Sequence, residues 1–68
     1  MELYEVQLCR QGRWDQQRWR VVAARDEDEA AFKVTGEHLN KEGERRKVRV
    51  RVMRLGNGSP PPTLFYTQ

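Results

Sequence analysis

Valines at 48, 50 and 52 alternate with cations at 47, 49 and 51 within the run Arg45–Leu55. A period of two places the valines on one face of a β-strand over residues 46–55, and Lys47, Arg49 and Arg51 on the other. The alternation slips at the end of the run. Met53 and Leu55 take the register of the cations and Arg54 that of the valines, which predicts a bulge near Val52–Arg54. Two further alternating segments precede this one. Over residues 3–10, Tyr4, Val6 and Leu8 share one side, and Glu5, Gln7 and Cys9 the other. Over residues 18–24, Trp19, Val21 and Ala23 share the side assigned to the core, opposite Arg18, Arg20 and Val22. Joined by a short polar connection containing Gly12, the two segments predict an antiparallel hairpin.

Between the hairpin and the basic strand the apolar spacing changes to that of a helix, predicted over residues 27–41. Ala31, Phe32, Thr35, His38 and Leu39 fall on one side, with Val34 at the margin. Asp26 is placed to cap the first amides, and Glu29 three residues later makes a capping-box-like pair. The acidic run Asp26–Glu29 then sits at the positive end of the helix dipole, where each carboxylate contributes about 0.3–1 kcal/mol. That structural role is favoured over a metal site, because consecutive acids at a helix start do not converge on one ion. Gly36 weakens the helix by about 1 kcal/mol relative to alanine, and Gly43 is the expected stop. After the basic strand, Gly56–Ser59 is a turn signal and Pro60–Pro62 a surface loop. Prolines cannot donate to a ladder, so a strand over residues 64–67 is expected to be short and at an edge.

Together these elements predict one α+β domain over residues 1–68. Its four-stranded antiparallel sheet has the order 2-1-3-4, and one helix packs on one face after a right-handed crossover. A domain of 68 residues buries about 60% of its unfolded surface.

Charge sharpens the picture. Residues 1–44 carry 7 basic and 10 acidic side chains, whereas residues 45–68 carry 6 basic and none acidic. The net charge of +3 therefore hides a concentrated basic segment, which favours an anionic partner such as nucleic acid or an acidic protein surface. The mean hydropathy is −0.97, and no apolar stretch approaches the roughly 18 residues of a membrane span. One cysteine, Cys9, excludes an internal disulfide. No signal-peptide layout is present, and a reducing cytoplasm is the default expectation.

Catalysis is not expected. The chain has one His and one Cys, and a nucleophile, a base and an orienting group need to converge in a pocket. His38 and Cys9 are read as packing residues. Two such residues do not make the four-ligand set that zinc requires. Gly56-Asn57-Gly58 is followed by prolines rather than a helix, so it lacks the geometry of a phosphate loop. No cofactor or metal is implied.

The constellation that suggests a function is the sheet face away from the helix. Arg18, Arg20, Arg49 and Arg51 are expected to gather there, with Arg45, Arg46 and Lys47 at the start of the basic strand. Trp14, Phe65 and Tyr66 are candidate aromatic platforms, and Glu5 is a carboxylate among the cations. Guanidinium forks bind phosphate oxygens, and single-stranded nucleic acid is held by cations combined with stacking rings.

The order Tyr4-Glu5-Val6, then Trp19-Arg20-Val21-Val22-Ala23 leading into Asp26–Ala30, then a basic valine-rich strand, resembles the archaeal LX large-subunit ribosomal protein family and its eukaryotic relatives over about residues 3–55. The resemblance implies ribosomal RNA binding through Arg45, Arg46, Lys47, Arg49 and Arg51. The tail Pro60–Gln68 departs from it. The element order is also similar to that of small phage proteins, some anti-CRISPR proteins among them, which act by occupying a surface of a nucleoprotein effector.

Two functions are therefore expected. The first is a non-enzymatic module that binds nucleic acid, RNA before DNA, as a monomer or weak homodimer. The second is a protein-binding module that docks on an acidic or nucleoprotein surface.

Overall fold

A computed structural model describes residues 1–10, 12–56 and 61–67, with the backbone alone of residues 16–18. The chain is α+β. Its strands are β1 (Glu2–Arg10), β2 (Arg13–Ala24), β3 (Val48–Arg54) and β4 (Thr63–Tyr66), with helix α1 (Glu27–Thr35) between β2 and β3. The strands form one antiparallel sheet in the order β2-β1-β3-β4. A fifth extended segment lies outside β4, where Asn40 forms an isolated bridge with Tyr66. The expected four-stranded description is therefore one segment short, and β4 is not a free edge at Tyr66. Of the Gly56–Ser59 turn, residues 57–59 lie outside the described residues, as does Pro60. Among the described residues, no helix is long and apolar enough to cross a membrane.

The helix starts as its sequence dictates. Asp26 Oδ1 accepts from the Glu29 amide at 2.8 Å. The Glu29 carboxylate reaches back one residue beyond the cap, to the Arg25 amide at 3.2 Å. The helix ends at Thr35, six residues before the expected end at residue 41. Gly36 adopts a left-handed φ of 72° and returns its amide to Phe32 O, a conformation that glycine reaches at little cost. Helical spacing beyond Thr35 therefore has no helix to act on. His38 lies past the helix, stacked on Phe32 with ring centroids 4.6 Å apart.

The core lies between α1 and one face of the sheet. It joins Tyr4, Val6, Ala24, Val50, Val52 and Phe65 to Ala30 and Ala31 of the helix. Opposed residues of an antiparallel pair share a face, so the register assigns sides. Val22 opposes Tyr4 and Arg20 opposes Val6, which puts both on the helix side. Trp19 opposes Gln7 and Val21 opposes Glu5, on the side away from the helix. The expected sides of the second strand are thus exchanged. Val22 and Ala24 accordingly pack with Ala30 and Ala31 of the helix.

Strand β3 differs in a related way. Its end pairs regularly with β1 through Val52, Met53 and Arg54, without the bulge expected there. The register shift falls at its start, where Val48 opposes Tyr66 and Val50 opposes Phe65. Arg49 and Val50 together face one residue, the geometry of a β-bulge. As a result Val48 turns away from the helix while Val50 and Val52 face it. Arg49 is carried to Glu37, beyond the helix C-terminus, with Nε 3.6 Å from the carboxylate.

Candidate functional site

The register places few charges on the face away from the helix. Among the described residues, Glu5 of β1 and Arg51 of β3 lie there, amid Leu3, Val21, Ala23 and Met53. Leu3 and Val21 are more than half exposed. Among the described residues the cations expected on the open face are therefore not gathered there. Arg20 lies on the helix side, Arg49 is drawn to Glu37, and the side chain of Arg18 lies outside the described residues.

Arg51 is an internal strut. Its Nε donates to Gln7 Oε1 at 2.5 Å, and Gln7 is fully buried. Its guanidinium carbon lies 4.5 Å from the ring centroid of Trp14 and 5.4 Å from that of Trp19. A cation over an indole face within about 6 Å is attracted by the ring quadrupole. Trp14 and Trp19 come together across a register shift after Gln7, so the strut ties the irregular part of the hairpin to β3.

A groove opens beside this strut. Its volume is about 750 Å³. Cys9, a buried free thiol, lines it. Half-buried Trp14 and Tyr66 supply aromatic walls, with Val48 and Leu64 as further apolar lining. Gly12, in the hairpin turn with φ 77°, and Arg45 and Arg46 complete it. Among the described residues no carboxylate lines the groove. Arg45, Arg46 and Lys47 are not part of β3 as expected. They form a 3₁₀ turn, all three exposed, whose Lys47 amide donates to Glu44 O at 2.8 Å.

The hairpin register adds two cations that the sequence reading passed over. Arg10 opposes Arg13 on either side of the turn that carries Gly12. Like charges directly opposed across strands repel. Starting the second strand at residue 18 rather than at Arg13 hid this pair; the run Arg10-Gln11-Gly12-Arg13 is the signal that would have shown it.

Among the described residues several carboxylates are already paired: Glu29 with Arg25 and Lys33, Asp28 with Lys41, Glu37 with Arg49, and Glu2 with Arg54. Arg46 meets Glu44 at 2.7 Å, both side chains largely exposed. Among the described residues, none of Arg10, Arg13, Arg45 and Lys47 has a carboxylate within ion-pair distance. No family model, curated protein or solved structure matches the chain.

The chain's one His and one Cys line different depressions. His38 and Glu37 border a second one, of about 470 Å³, together with Leu39 and Thr67. Among the described residues no group of three or more His, Cys, Asp or Glu could hold a metal ion. Phe65, a candidate platform from the sequence, is fully buried in the core.

Proposed function

We propose that the chain is a small non-enzymatic module that binds single-stranded nucleic acid, RNA foremost, at its groove end. One observation carries this reading: Arg45 and Arg46 line a groove walled by Trp14 and Tyr66, and Gly12 of the turn between Arg10 and Arg13 lines it too. Cations track a phosphate backbone while aromatic rings stack on bases, and RNA offers unstacked bases in loops and bulges. An anion between Arg10 and Arg13 relieves their repulsion. The exposed Glu44–Arg46 pair is of the kind worth about 0–1 kcal/mol, so Arg46 is readily given up to a phosphate.

The test is a fluorescence titration with single-stranded RNA over a salt series. Affinity is expected to fall with salt at about 0.7 in log–log slope per phosphate contacted. The double variant Arg45→Ala, Lys47→Ala is expected to lose up to two such increments. Unchanged affinity and slope in a folded double variant would remove the reading.

A second reading is favoured by the apolar strip of Leu3, Val21 and Met53 opposite the helix. It is that of an inhibitor-like module docking on a protein or nucleoprotein surface. A purified partner complex that survives nuclease and is lost with Val21→Lys supports this second reading against the first.

A further inference from the structure

We infer that the groove takes one unstacked nucleotide, its base against Trp14 and Tyr66 and its phosphate on Arg45 and Arg46. This rests on the nucleic-acid reading and adds the mode of recognition. A backbone-only binder needs a charged surface and no pocket. Here Arg45 and Arg46 border a groove of about 750 Å³, within the roughly 300–1,000 Å³ of small-ligand sites. The lining combines the chemistry a nucleotide needs, with half-buried apolar and aromatic groups beside two exposed arginines.

Both aromatic walls are held in place from behind. The Arg51 guanidinium lies against Trp14 at 4.5 Å, and buried Gln7 fixes Arg51 in turn. The cation takes one indole face, and the proposed base stacks on the other. Tyr66 is fixed through its backbone, which exchanges two hydrogen bonds with Asn40 at 3.0 and 2.7 Å. Gly43 presses on the same residue, since a Cβ there would stand 2.8 Å from Tyr66 Cβ. Walls ordered before the ligand arrives spare the entropy of ordering them on binding. A groove closed by mobile side chains would show no such bracing.

The experiment compares a short single-stranded RNA with the same oligonucleotide carrying one abasic position, on the full chain. A stacked base contributes about 1–3 kcal/mol, which is roughly 5- to 150-fold in affinity. The abasic oligonucleotide is expected to bind weaker by a factor in that range. The difference should vanish in Trp14→Leu and shrink in Tyr66→Leu, with fold checked by circular dichroism. Chemical-shift mapping on the unaltered protein gives a second test that no unfolded variant can compromise. Cys9, Gly12 and the Trp14 indole N–H are expected to shift with the intact oligonucleotide and to stay near their free positions with the abasic one. Equal affinity for both oligonucleotides, with the salt slope intact, overturns the inference and leaves the charge-driven reading standing. No binding by either oligonucleotide overturns both.

Discussion

Arg51 serves three partners at once: the buried oxygen of Gln7 and the rings of Trp14 and Trp19. Its side chain is consequently tied into the fold as a structural group. Arg51→Met keeps the bulk but removes the cation and leaves Gln7 Oε1 buried without its donor. The stacked cation is worth about 0.5–2 kcal/mol and an orphaned buried acceptor about 1–3 kcal/mol. A loss of about 2 kcal/mol in denaturant unfolding is expected, with Arg51→Lys recovering less than half because an ammonium cannot stack as a plane. A loss below about 0.5 kcal/mol would show that the strut carries no stability. The alternation of residues 47–52 correctly marks a strand with cations beside valines. Which cation is exposed was not legible, because Gln7, Trp14 and Trp19 reach Arg51 from distant segments. A bulge at Arg49 also leaves no mark in a period-two pattern.

At the scale of elements, the start of the helix was readable and its end was not. Asp26 and Glu29 act within three residues of each other, so local chemistry decides the start. Two glycines competed for the end. Gly36 takes the left-handed cap, while Gly43 is needed for its contact with Tyr66, which depends on how β4 packs. Gly36→Ala is therefore expected to cost about 1–2 kcal/mol, read from the denaturation midpoint. The helix start also predicts a pH effect. The hydrogen bonds from the Arg25 amide and side chain hold the Glu29 carboxyl below its ordinary 4.5. A carboxyl lowered in the folded state adds stability above its unfolded value and loses it as pH falls through the folded value. Stability should therefore decline from pH 4.5 downward, more steeply in the unaltered protein than in Glu29→Gln. Parallel pH profiles for the two would show that Glu29 is not coupled to folding.

For the whole molecule, the α+β class and the antiparallel sheet under one helix were legible, because periodicity separates strands from a helix. The site was legible in part. Trp14, Tyr66, Arg45 and Arg46 were candidates from the sequence and the structure brings them to one groove. Arg20 and Arg49 were candidates too and lie elsewhere. Sidedness fails where registers shift, and this sheet shifts in two places, after Gln7 and after Val48.

The register also sorts charge along the strands. Glu2 opposes Ala24 at one end of β1, where the chain enters the acidic start of α1, and Arg10 opposes Arg13 at the other. Nine residues of β1 at about 3.3 Å each separate the two ends, close to the 30 Å long axis of the molecule. Such a separation is a permanent electric moment. In the field of a polyanion it exerts a torque that turns the cationic tip forward before contact, so fewer encounters are wasted on wrong orientations. Added electrolyte should consequently slow the arrival of the strand more than it hastens its departure, a distinction that stopped-flow traces resolve.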